Sequence, residues 1–149
     1  MLLSASCMYG IRAVLYLAAV APEGYTPVHA IARDLGISPS FLSKVLQRLK
    51  TAGIITARRG PNGGVALTRD AERLTLKELV LAVDGEALFT ACVLGLPTSE
   101  QCAPCPLHRE WRAVREGLES MFDELDVASM AECVAHAFGG ADATTDHGR

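Results

Sequence analysis

The stretch from Val28 to Thr68 restricts the fold more than any other. Val28–Leu35 reads as a short helix that stops at Gly36, a residue suited to a left-handed C-cap. Ser38-Pro39 then offers an N-cap followed by a first-turn proline, and a third helix continues to about Ala52 before Gly53. Leu42, Val45, Leu46 and Leu49 fall at i, i+3, i+4 and i+7, which predicts one buried stripe. Ser40, Ser43, Lys44, Gln47 and Arg48 lie on the opposite face. Two helices joined across Leu35-Gly36-Ile37 form a helix-turn-helix pattern. Two short apolar runs follow, Ile54–Ala57 and Val65–Thr68, around the tip Arg58-Arg59-Gly60-Pro61-Asn62-Gly63-Gly64, a hairpin signal. A hairpin placed directly behind a helix-turn-helix predicts a winged helix.

The flanking segments read as helices. Cys7–Ala21 is apolar on most faces and should be buried, with Pro22-Glu23-Gly24 ending it. Thr75–Val83 opens on a capping box, Thr75 with Glu78, and stops at Asp84-Gly85. Residues 86–105 read as loop. Pro106 to about Leu125 is the longest helix, with Leu107, Trp111, Val114, Leu118, Met121, Phe122 and Leu125 at helical spacing. That stripe exceeds what a small winged domain needs and predicts a dimerisation helix. Ser129 with Glu132 reads as a second capping box, opening a last helix to about Phe138. The expected organisation is a winged-helix DNA-binding domain over 1–85, a ligand-bearing loop over 86–105, dimerisation and last helices over 106–138, and a disordered tail over 139–149. Aromatics make up only 5% of the 149 residues, so Leu, Val, Ile and Ala must fill the core. The fold class is mainly α.

The net charge of −3 conceals an asymmetry. Through Thr75 there are nine basic and four acidic residues, a net +5; from Leu76 onward there are five basic and thirteen acidic, a net −8. A basic front half suits a polyanion, and double-stranded DNA is the partner that a winged helix would meet. The expected DNA contacts are Lys44 and Gln47 in the major groove and Ser40 near a phosphate or base edge, with Ser38, Ser43 and Arg48 beside them, and Arg58, Arg59, Pro61, Asn62 and Gly63 of the tip against backbone or minor groove. The apolar run Ile11–Ala21 contains Arg12 and is too short to cross a bilayer. Without a basic leader or an A-x-A site it does not read as a signal peptide, so no membrane role and a cytoplasmic location are expected.

Five cysteines in such a chain point to metal, redox or buried-thiol roles rather than a disulfide framework. Cys92, Cys102, Cys105 and His108 form C-x9-C-x2-C-x2-H, thiolates and an imidazole suited to an iron–sulfur cluster or to zinc. Cys105 stands at the start of the long helix, Pro106 in its first turn and His108 three residues on. A helix N-terminus favours the negative charge of a thiolate-ligated centre, and prolines at 104 and 106 stiffen the loop. Cys102-Ala-Pro-Cys105 is also a redox-type C-x-x-C, but no βαβ alternation surrounds it. Cys7 and Cys133 lie in apolar helices and read as core thiols. No phosphate loop, H-E-x-x-H or nucleophile elbow is present, so no enzyme is expected.

Tyr9-Gly10-Ile11-Arg12-Ala13, Ile37-Ser38-Pro39-Ser40-Phe41-Leu42, Arg59-Gly60-Pro61-Asn62-Gly63-Gly64-Val65-Ala66-Leu67 and Ala82-Val83-Asp84-Gly85 together resemble the Rrf-two transcriptional regulators, the IscR- and NsrR-type proteins. The resemblance runs from Leu2 to about Phe138. It implies a homodimer crossed through the long helix, a winged-helix DNA reader, and an iron–sulfur cluster, two-iron or four-iron, sensing redox state, nitric oxide or iron status. By it, Cys92, Cys102 and Cys105 match the cluster cysteines and His108 the completing histidine of IscR-type members. The family spacing is near C-x5-C-x5-C, so the loop here has its own geometry. Met8 stands where some members supply an acidic ligand, which leaves His108 as the fourth. The expectation is therefore a sequence-specific transcriptional regulator with a cluster-responsive switch. The alternatives are a relative that uses zinc or thiol oxidation, and a zinc-stabilised adaptor that does not bind DNA.

Overall fold

The computed structural model describes residues 2–20, 23–97 and 105–139, the last four by backbone alone. Seven helices and one hairpin follow the order α1 (Ala5–Val20), α2 (Val28–Leu35), α3 (Pro39–Thr51), β1 (Ile55–Arg58), β2 (Gly64–Leu67), a 3₁₀ turn at Ala71–Arg73, α4 (Leu76–Val83), α5 (Ala87–Thr90), α6 (Pro106–Glu124) and α7 (Val127–Gly139).

α1 is the central post. Cys7, Ala13, Val14 and Leu17 are all but fully buried on it, and α2, α3, α4 and α7 pack around it. Its first turn is fixed by Ser4, whose Oγ accepts from Cys7 N at 3.0 Å and donates to Asp84, while Ser4 N donates to Asp84 Oδ2 at 2.9 Å. Asp84 is the C-cap of α4, so the start of α1 and the end of α4 are joined through one carboxylate.

The helix-turn-helix forms as its sequence dictates. Gly36 takes φ 67°, and its N–H with that of Ile37 closes α2. Ser38 Oγ accepts from Phe41 N at 3.2 Å, with Pro39 in the first turn. Leu42, Val45, Leu46 and Leu49 are all buried, as their spacing predicts. Tyr9 of α1 meets Phe41 of α3 edge to face, ring centroids 5.9 Å apart.

The hairpin differs by one residue from the expected strands. Ile55 pairs with Leu67 and Arg58 with Gly64, antiparallel, leaving a five-residue tip over 59–63. The register is the expected one; the pairing runs one residue further toward the tip because Arg58 and Gly64 join the ladder, while Thr68 N still donates to Ile54 O at 3.1 Å. Thr26 exchanges both backbone hydrogen bonds with Val65, each at 2.9 Å, ahead of α2. Gly64, at φ 146°, sits where a side chain would run into the Thr26 carbonyl.

Thr75 caps α4 as the sequence implies: its Oγ accepts from Glu78 N at 3.3 Å, and Glu78 accepts from Thr75 N at 3.0 Å. The cap of α7 departs from expectation. Asp126, not Ser129, closes it, accepting from Ser129 N at 2.8 Å and Ser129 Oγ at 3.0 Å, so the helix begins at Val127. Val127, Met130, Ala131 and Val134 then turn into the core, and this register leaves Cys133 exposed rather than buried. Residues 86–97 are not all loop: α5 lies within them, its Phe89 packed on Phe122 of α6 with centroids 6.1 Å apart. The foot of α6 is stitched to α4 by Leu76 N donating to Leu125 O at 2.9 Å, Val127 N to Leu74 O at 2.8 Å, and Lys77 Nζ 2.8 Å from Glu119 Oε1. Gly139, expected to open the tail, ends α7, and the remaining 140–149 lie outside the described residues. Among those described, no helix is long and apolar enough to cross a membrane.

Candidate nucleic-acid interface and cysteine loop

α3 presents Ser40, Ser43, Lys44 and Gln47 to solvent opposite its buried leucines. Ser38 is exposed but spends an Oγ lone pair on the cap, 3.4 Å from Ser40 Oγ. Arg48 has a structural partner: its Nη1 donates to the Val83 carbonyl, the last of α4, at 2.9 Å.

The two wing arginines differ as well. Arg58 Nη2 donates to Asn62 O at 3.0 Å, and its guanidinium lies 4.6 Å from the centroid of Tyr25. Arg58 therefore braces the tip against the Tyr25-Thr26 segment, which bridges to Val65. Arg59, Pro61 and Asn62 are exposed at the end of the wing, and Gly63 closes it by donating to Gly60 O at 2.9 Å. Lys44, Gln47 and Arg59 are left as the polar groups with reach. Tyr25 was not legible as part of the site. Its only signal is its position beside the Thr26 bridge, which sequence periodicity does not reveal.

The second candidate site lies where α5 meets the head of α6. Cys92 is half-buried just after α5. Backbone N–H groups of Leu94 and then Leu96 hold its thiol below the ordinary value; Arg115 adds to this, and desolvation opposes it. Cys105 is exposed at the N-cap of α6, and its carbonyl accepts from His108 N at 3.0 Å. Arg112 Nη2 lies 3.3 Å from His108 Nε2. A guanidinium only donates, so Nε2 accepts with the lone pair an imidazole would use on a metal. Cys102 lies outside the described residues. Among those described, no three ligand-type side chains are gathered at one point. The donor set, a thiol favoured as thiolate, an exposed thiol at a helix N-terminus and an accepting imidazole, suits an iron–sulfur cluster in chemistry.

Two further residues of this site lie beyond the sequence reading, which gives Trp111 only an apolar place and Arg115 no role. Trp111 belonged to the apolar stripe, yet its Nε1 donates to the Ala91 carbonyl at 3.0 Å. Arg115 is buried, donating to the carbonyls of Thr90 and Ala91. Their i, i+4 spacing was the available signal. Cys7, in the core, is pushed up to about 12 by burial and by the neighbouring Asp84.

Comparison with known proteins gives the family. The Rrf2 model, described as an iron-dependent transcriptional regulator, matches residues 3–133. The HTH-type transcriptional regulator IscR of Xenorhabdus nematophila is 31% identical over 132 residues, 89% of this chain and 80% of its own length. Two solved structures share the fold. CymR, the global cysteine regulator of B. subtilis, superposes with a TM-score of 0.73 at 23% identity, covering 88% of this chain and 96% of its own. IscR of T. potens gives 0.70 at 22% identity, covering 98% and 93%. With nearly nine-tenths of its length matched by the family model and a relative above 30% identity, the chain belongs to the Rrf2 family of transcriptional regulators.

Proposed function

We propose that this regulator is a cytoplasmic homodimer that binds specific DNA sequences and answers to redox state, nitric oxide or iron status through an iron–sulfur cluster. The observation that carries the reading is the pairing of an exposed polar α3 face and arginine-tipped wing with thiol and imidazole donors at the head of α6. Lys44 and Gln47, with Ser40 and Ser43 beside them, enter the major groove, and Arg59 with Pro61, Asn62 and Gly63 meets backbone or minor groove. Arg48 and Ser38 hold the reading helix in place, and Arg58 holds the wing.

Cys92, Cys102, Cys105 and His108 would hold the cluster. When bound, it supplies a redox- and ligand-sensitive anionic centre. The Leu94 and Leu96 amides favour Cys92 as thiolate, and His108 Nε2, which accepts from Arg112, is in the unprotonated form that a metal needs and would exchange that hydrogen bond for ligation.

Dimerisation uses α6. Leu107, Val114 and Met121 recur every seven residues and are 43%, 50% and 46% exposed. Such a repeat is an interhelical seam awaiting a second copy. Val114→Glu should shift the sedimentation of the protein to that of a monomer; unchanged sedimentation assigns the dimer seam elsewhere.

The test of the sensor is anaerobic purification followed by visible absorbance and analysis for iron, sulfide and zinc, with duplex selection from a random-sequence pool. Iron and sulfide together with a selected duplex support the reading. Stoichiometric zinc without iron uptake replaces it with a zinc-stabilised DNA-binding dimer. A metal-free protein whose DNA affinity follows thiol oxidation makes it a thiol sensor.

A further inference from the structure

The residues just before Cys92 are held from the side by the long helix. Trp111 Nε1 donates to Ala91 O at 3.0 Å, and Arg115, one turn on, donates from Nη1 to Thr90 O and, at 3.2 Å, to Ala91 O. Arg115 is only 8% exposed, and its Nε is buried with no hydrogen-bond partner. Among the described residues no carboxylate pairs with it. Among the described residues this buried guanidinium faces carbonyl oxygens, with no carboxylate to offset its charge and no acceptor for its Nε–H. An anionic ligand set built on the adjoining Cys92 would supply both.

The same backbone segment is held at its other end. Arg48 of α3 donates to Val83 O at 2.9 Å. Between these two grips lie the Asp84 cap and α5, which packs on α6 through Phe89 and Phe122. Val83–Ala91 is thus a short strut with the reading helix at one end and the cysteine loop at the other.

We propose that Trp111 and Arg115 are positioning residues that seat Cys92 for an anionic ligand set and pass its occupancy to α3 through the strut Val83–Ala91. The inference rests on the cluster reading above. Arg115 keeps the strut registered on α6 in the empty protein. An anion beside Cys92 takes up the unused Nε donor and shifts the hydrogen bonds to Thr90 and Ala91. Because Arg48 grips the far end, that shift reaches the helix that carries Lys44 and Gln47.

The experiment compares wild type with Arg115→Gln, Arg115→Lys and Trp111→Phe, the last keeping the ring but losing the donor. In metal-free protein, amide hydrogen exchange over residues 86–97 should quicken about tenfold in Arg115→Gln and Trp111→Phe, with α1 to α4 unchanged. Arg115→Lys, which keeps the charge but not the fork, should fall between. After anaerobic reconstitution with iron and sulfide, the affinity ratio of loaded to metal-free protein for the selected duplex should collapse toward one in both variants at equal iron content. Unchanged exchange, or an intact affinity ratio, overturns the proposal. So does a wild type whose loaded and empty forms bind the duplex equally. A wild type that takes up no iron removes the cluster reading instead, and the exchange data then decide the clamp alone.

Discussion

Arg48 Nη1 sits 2.9 Å from the carbonyl of Val83, so the reading helix and the C-terminal end of α4 are tied by a charge-assisted hydrogen bond. Sequence spacing alone groups Arg48 with Lys44 among the DNA contacts; the structure separates them. Arg48→Ala should lower the melting temperature, at a cost of about 1–2 kcal/mol, as well as weaken DNA binding. Lys44→Ala should leave melting unchanged and cost about 1–3 kcal/mol in DNA binding if it reads a base. Calorimetry and binding titrations on both variants check this; equal melting temperatures would return Arg48 to the free contacts.

The wing arginines should separate in the same way. Arg59→Ala should reduce the slope of log affinity against log salt by about one for each wing, the signature of a lost phosphate contact. Arg58→Ala should also disturb the tip, because it loses the Asn62 carbonyl and the Tyr25 ring together. Tyr25→Leu should reproduce part of the Arg58→Ala defect without removing a charge. If it leaves DNA affinity and wing amide exchange untouched, the brace has no role.

The exposed and buried thiols should differ in reactivity. Cys7 is fully buried and raised to about 12, so it should resist alkylation at pH 8 until the protein unfolds. Cys105 and Cys133 are exposed and should be modified in the folded, metal-free protein, with Cys105 alone of the two protected once the cluster is reconstituted. Peptide mapping after brief iodoacetamide treatment reads this directly; early modification of Cys7 would contradict the core packing of α1.

Asp126 should contribute to the acid limit of stability. The Ser129 backbone N–H and then its hydroxyl hold the carboxyl below its ordinary 3.8. Folding favours the ionised form, so the contribution is complete above 3.8 and is lost as pH falls through the lower folded value. Asp126→Asn keeps a capping side chain while removing the charge. Its stability should therefore fall less steeply with acid than that of wild type in denaturation measured from pH 6 to pH 2. Parallel profiles would assign the acid sensitivity elsewhere.

The helix-turn-helix was legible in sequence because its signals are local: Gly36 must turn left-handed, Ser38 must cap and the leucines of α3 must share one face. The wing reaches one residue nearer its tip than the apolar runs suggest, because Arg58 and Gly64 pair through their backbones and backbone pairing needs no apolar side chain. α5 was missed because four residues are too few to show a helical period. Ser129 was taken for a cap because its spacing to Glu132 imitates a capping box, whereas Asp126 three residues earlier offers a stronger acceptor. At the candidate sites the residue types could be read from sequence, but their commitments could not. Whether an arginine faces water, as Arg59 does, or a backbone carbonyl, as Arg48 and Arg115 do, depends on tertiary neighbours.

The packing of α7 on α1 has a consequence for the life of the chain. Val127 and Ala131 complete a core whose other wall is laid down in the first twenty residues. Synthesis proceeds from the N-terminus, so the face of α1 that meets α7 waits uncovered until Val127 and Ala131 have been made, well after α2, α3 and α4 are in place. A message broken before residue 127 would not yield a smaller regulator with a closed core around α1. It would yield a post with one apolar face exposed, a substrate for chaperones and proteases.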